Sequence, residues 1–216
     1  MELTATLLAG GLLSIGGILG IGVGSAIRYR RDHPAAKPLS MMAIPPGLAG
    51  LCTAGVVVAP QPPLARVLLA AATGLLLVTP AYFLLFTLVY TGRGELITRR
   101  RRRLLVALYG TIGAVAMLEP LVLADITVRT VNGLAFPVMA SRTVIVLTTL
   151  LFVYPLIAVC LWLLSRFLIA PANIYRRQTA IVLGAVCITV VGNVVFEAGF
   201  SPHPGLNLTA VFFSAE

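Results

Sequence analysis

Charge is scarce in this sequence. Asp, Glu, Lys and Arg make up 11% of the 216 residues, against about 25% in an ordinary soluble domain, and mean hydropathy is +1.01. That deficit excludes a soluble enzyme. Lysine is rarer still, because Lys37 is the only one and it falls in a connection between apolar runs. A retinal-type Schiff base needs a lysine within a helix, and these residues offer none. Cys52, Cys160 and Cys187 lie inside apolar segments without a CxxC, so packing explains them better than disulfides or metal ligation. There is no HExxH, Walker loop or GxSxG either. The residues therefore point to no catalytic group, no metal and no cofactor.

Long apolar runs are what the chain has instead. Six are long enough to cross a bilayer, at about 3–27, 39–59, 64–90, 104–124, 143–169 and 180–198, and a seventh, 206–216, is cut off. The expected architecture is an all-α polytopic membrane bundle, a single transmembrane domain over 1–216 with six complete helices and the start of a seventh. Basic residues alternate across it. In or bordering the connections after segments one, three and five lie Arg28, Arg30, Arg31, Lys37, Arg93, Arg99, Arg100, Arg101, Arg102, Arg103, Arg166, Arg176 and Arg177; in or bordering those after segments two and four lie only Arg66, Arg129 and Arg142. Cytoplasmic loops retain Lys and Arg, so the odd connections face the cytoplasm and the N-terminus lies outside the plasma membrane. The net charge of +9 then belongs to topology and to anionic lipid headgroups, and not to nucleic acid. His33 and His203 fall on opposite sides of that membrane and share no metal site.

Glu2 precedes the first run and the arginines follow it, the reverse of a cleavable signal peptide. Gly16, Gly20 and Gly24 would form one small-residue stripe on it, read as packing within the chain. Pro45 and Pro46 predict a kink or a late helix start in segment two; Pro80, Pro120 and Pro155 are further bending points. The connection 125–142 is too apolar for a free loop and is expected to form a small ordered cap. Gly199 to Gly205 reads as a turn.

Ionisable groups at membrane depth are expensive and so informative. Glu119 precedes Pro120 in segment four, and Glu197 ends segment six. If both face the bundle with Asn193, Tyr82 and Tyr154, they line an outward-facing polar cavity for a small ligand. They would bind the stimulus by hydrogen bonding or charge pairing.

Three blocks, taken in order, carry a resemblance. The first is Arg30-Arg31-Asp32-His33-Pro34; the second is Phe86 to Arg93, ending Tyr90-Thr91-Gly92-Arg93. The third joins Tyr175-Arg176-Arg177-Gln178, Gly192-Asn193, and Ala198-Gly199 through Leu208-Thr209. Together they resemble the N-terminal seven-transmembrane sensor region of archaeal and bacterial histidine kinases. The resemblance implies a sensory input domain of a two-component system, relaying an extracellular or membrane stimulus to cytoplasmic PAS and kinase modules of the same parent chain, usually as a homodimer. The chain departs from that pattern at Asn207, where the family usually has Asp. It also has Glu119-Pro120 where a Thr-Asn and His signature is expected, so the stimulus is expected to differ or be lost. A kinase needs a phosphoacceptor histidine and an ATP-binding domain, and these residues supply neither, so the covered chain is not itself an enzyme. A small-solute transporter or a stand-alone binding subunit remains the alternative, although no internal repeat relates the two halves.

Overall fold

The computed structural model describes residues 2–30, 35–59, 61–131, 134–170 and 175–197. The seventh segment at 206–216, Asn207, the turn at 199–205, Arg31, Asp32 and both histidines lie outside the described residues. Within them are six helical spans long and apolar enough to cross a membrane by length and composition. The first four begin as Glu2–Arg30, Ala36–Val58, Pro62–Tyr90 and Arg99–Leu118, and the sixth is Arg176–Glu197. The fifth, Thr143–Ile169, has an interruption described below.

Several helices start earlier than hydropathy suggests. Pro38 and Pro62 sit in first turns, where no N–H is needed for the helical ladder. Span two also continues through Pro45 and Pro46, both buried inside the helix, so the late start expected there does not occur. Span four opens at Arg99 because Thr98 caps it: the Arg101 N–H donates to Thr98 Oγ1 at 3.2 Å, a standard N-cap bond. All five arginines from Arg99 to Arg103 are thus helical, and all are exposed.

At Pro120 and Pro155 the helices widen instead of breaking. Glu119–Leu123, which holds Pro120, and Thr149–Val153, just before Pro155, are π-turns. In the first, the Ala124 N–H reaches back to the Glu119 carbonyl at 2.8 Å, five residues away. Proline lacks the N–H for the ordinary i→i−4 bond, and the wider turn relieves its ring's clash with the preceding turn.

Packing runs from neighbour to neighbour: span one on two, two on three and three on four, with span three also meeting five, and five meeting six. Spans one and two touch backbone to backbone. A Cβ on Gly17 would stand 2.7 Å from the Gly47 carbonyl oxygen, and one on Gly47 would stand 2.8 Å from that of Gly17. The buried stripe on span one is Gly10, Leu13, Gly17, Gly20 and Gly24. It runs at alternating steps of three and four, so Gly16 falls beside the contact line that four-residue spacing predicted. Packing within the chain is nonetheless what the glycines serve. A buried core of Met42, Phe83, Phe86, Cys160, Leu164 and Val186 joins spans two, three, five and six.

The two ends of the bundle differ. Between spans four and five, Ile126–Val131 pairs antiparallel with Leu134–Met139, Ile126 opposite Met139. This hairpin is the ordered cap, and it contacts the ends of spans one, two and three. At the other end, Gly92 takes φ +77°. The Gly92 and Arg93 N–H groups donate to the Val89 and Leu88 carbonyls at 3.1 and 2.7 Å, a Schellman cap that glycine alone adopts without steric strain. The Tyr-Thr-Gly-Arg block is therefore a helix stop.

Candidate functional site

Spans three, five and six enclose a cavity of about 130 Å³. Span three supplies Thr73, Leu77, Pro80 and Phe83, span five supplies Thr149, Val153 and Tyr154, and span six supplies Val186, Thr189 and Asn193. The π-turn explains why space is left here, because widening span five at Thr149–Val153 upsets the regular interdigitation of side chains with the facing helices. The walls are mostly apolar. Thr79 and Thr189 return their hydroxyls to their own helices, donating to the Leu75 and Ala185 carbonyls at 3.0 and 3.2 Å, which is the usual way a membrane helix satisfies a threonine.

The polar feature of this wall is a bond between helices. Tyr154 Oη donates to Asn193 Oδ1 at 2.7 Å, a short bond at a depth where an unpaired amide would lose its hydration without replacement. Among the described residues no charged side chain lines the cavity. Its volume is close to that of an engineered apolar cavity that holds benzene. A small neutral guest carrying one or two hydrogen-bonding groups fits this chemistry.

The five residues singled out from the sequence separate. Tyr154 and Asn193 meet in the cavity wall. Tyr82 lines a different space, a groove between spans two and four. Glu197 ends the sixth helix, and its side chain lies outside the described residues. Glu119 is 1% exposed but does not line the cavity. Its Oε1 accepts from Ser141 Oγ at 3.1 Å and from the Val144 N–H at 3.2 Å, and its Oε2 accepts from the Ile145 N–H at 2.8 Å. The carboxylate of span four thus caps the start of span five, where unpaired N–H groups and the helix dipole favour negative charge. A costly buried carboxylate is explained by this cap.

Other polar contacts were not foreseen. Tyr109 of span four donates to the Phe152 carbonyl at 2.8 Å, a backbone oxygen inside the π-turn. Arg66 donates to the Ala124 carbonyl at 3.1 Å and lies 4.0 Å from the Asp125 carboxylate, closing the end of span four. At the arginine end, Tyr90 Oη is 3.2 Å from Thr179 Oγ1. The Thr179 hydroxyl already donates to the Tyr175 carbonyl, so Tyr90 is the donor. Its ring stacks on Phe86 and meets Phe167 edge-on. Arg176 donates to the Ala170 carbonyl at 3.3 Å, while Arg28 and Arg177 are exposed. The only advance signal for most of these pairings was a lone polar residue in an apolar run. Among the described residues no group of three His, Cys, Asp or Glu could hold a metal.

No curated protein matches the chain. The family model for the N-terminal 7TM region of histidine kinase matches residues 12–216, nearly the whole sequence, and all three blocks fall within the match. It describes the membrane region of such kinases and not their catalytic domain. With its six apolar spans and that match, the chain is a multi-pass membrane protein and belongs to the family of histidine kinase N-terminal seven-transmembrane regions.

Proposed function

We propose that this region is the stimulus-sensing input of a histidine kinase, and that the cavity between spans three, five and six receives a small neutral ligand. The observation that carries this reading is the Tyr154–Asn193 bond beside a π-turn. A sensor needs two arrangements close in energy, one of them preferred by the stimulus. A hydroxyl–amide bond exchanges partners with a guest at little net change in energy, and a π-turn relaxes by moving its extra residue along the helix. Span six would carry the result to the opposite end of the bundle, where Thr179 is joined to Tyr90. From there the signal would pass to PAS or kinase modules of the parent chain, arranged as a homodimer.

The orientation supported by the arginine distribution puts the N-terminus and hairpin outside and the arginine end in the cytoplasm. Labelling of single cysteines placed in the hairpin and at position 99 decides it. The sensing proposal is tested in the full-length kinase by Asn193→Leu. Removing an interhelical bond of this kind is worth about 0.6 kcal/mol on average in a membrane, so basal autophosphorylation should shift about threefold in either direction. Unchanged basal activity with normal insertion would sink the assignment of this cavity.

A further inference from the structure

Spans two and four both pack on span three without forming a substantial contact with each other. At the arginine end this leaves a groove of about 610 Å³ whose lining includes Lys37, Met41, Tyr82, Leu85, Arg102 and Arg103. We propose that this groove is a binding site for an anionic phospholipid of the adjoining leaflet. Three cations from two different helices converge at its mouth, and among the described residues no acidic side chain lines it. All three are exposed, and among the described residues none forms an ion pair. Arg101, by contrast, turns back to donate to the Leu96 carbonyl at 3.1 Å.

Depth argues for a lipid over a soluble anion. From Val89 to Tyr82 the floor of the groove follows span three for about 10 Å, at 1.5 Å per helical residue, and Met41 and Leu85 wall that stretch. A soluble phosphate would fill the mouth and leave the apolar floor uncovered. A phospholipid satisfies both, with its phosphate among Lys37, Arg102 and Arg103 and its glycerol and upper acyl chain along the floor toward Tyr82. The volume lies within the range of about 300–1,000 Å³ usual for ligand sites. Basic pockets between membrane helices are a recognised setting for anionic headgroups. The site is independent of the sensing cavity, which opens on the other face of span three.

Native mass spectrometry of the full-length protein, titrated separately with dioleoyl phosphatidylglycerol and dioleoyl phosphatidylcholine, tests the site. The anionic lipid should bind at least about tenfold more tightly. Each of Lys37→Gln, Arg102→Gln and Arg103→Gln should weaken it about fivefold, from the usual contribution of one basic residue near an anionic surface. The paired variant Arg99→Gln with Arg100→Gln, on the same turn but outside the groove, should leave it within about twofold. Because charge changes also disturb insertion, Ala107→Trp, which fills the groove and retains every cation, is the second variant and should likewise displace the lipid. Equal binding of the two lipids, equal loss in the Arg99 and Arg100 variant, or retention in Ala107→Trp would each overturn the proposal. Displacement of the lipid by glycerol phosphate at equal concentration would also overturn it, in favour of a soluble-anion site.

Discussion

Spans one and two meet through backbone, whereas spans five and six meet through side-chain groups that have alternatives. At Gly17 and Gly47 two main chains stand so close that neither tolerates a Cβ. At Tyr154 and Asn193 a hydroxyl and an amide hold the helices together, next to a turn with one residue too many for an α-helix. Close backbone packing has one good arrangement, because any slide drives atoms together. Exchangeable polar bonds over a small void have several. The first half of the bundle is therefore a scaffold by its contacts, and the second half is where a change of arrangement is cheap.

The strongest way to break this contrast is to damage the scaffold. Gly17→Val places atoms where the Gly47 carbonyl and Leu51 already stand; spans one and two must separate, at a cost of about 3 kcal/mol, the upper end of ordinary overpacking. Thermal unfolding in detergent should show a clear drop in midpoint. Gly11→Val and Gly22→Val are the controls, since among the described residues a Cβ there meets nothing within 4 Å, and they should unfold close to wild type. Equal damage at all three positions would mean that glycine serves this helix generally, with no contact at Gly17 to explain.

Next in size is the joint between the halves, Glu119. Replacing it by Ala leaves the Val144 and Ile145 N–H groups and the Ser141 hydroxyl without their acceptor, a loss of about 2 kcal/mol. Glu119→Gln keeps one carboxyl-like oxygen and should lose about half of that. Fluorescence of Trp162, the one tryptophan, lies in span five and reports the loosening in a denaturant titration. A Glu119→Ala variant as stable as wild type would reduce the cap to an incidental contact.

How much of this was legible depended on distance along the chain. The spans could be read because twenty apolar residues are a local signal. Their starts were misplaced by a few residues because Pro38, Pro62 and the run Arg99 to Arg103 lower hydropathy without opposing a first helical turn. The ordered cap was foreseen from Val128, Val131, Leu134, Phe136 and Val138, but its hairpin form was not, although Asn132-Gly133 between two apolar-containing runs is a strong hairpin signal. Glu119 was marked as costly, yet its partners come 22 to 26 residues later, just before and at the start of another span, and no local pattern joins them. Tyr82 and Tyr154 looked alike in sequence. Only the rotation of spans three and five in the bundle sends one to the groove and the other to the cavity.

The smallest expected effect is also the sharpest test of the second half. Tyr90→Phe keeps the ring contacts with Phe86 and Phe167 and removes the bond to Thr179; Tyr154→Phe removes the bond to Asn193. Each should change stability by about 0.6 kcal/mol or less. Their partners on span six are about 21 Å apart, counting 14 residues at 1.5 Å each, well beyond the 7–10 Å within which mutations usually couple. Independent bonds should therefore add, so that basal autophosphorylation of the double variant equals the product of the two single effects. If span six instead moves as one body between two positions, releasing one end already releases much of the other. The double variant should then fall short of that product by at least about twofold, which corresponds to a coupling of about 0.4 kcal/mol, near the usual limit of additivity. Strict additivity in kinase output would leave the cavity and the arginine end as separate features, and span six would lose its role as the connecting lever.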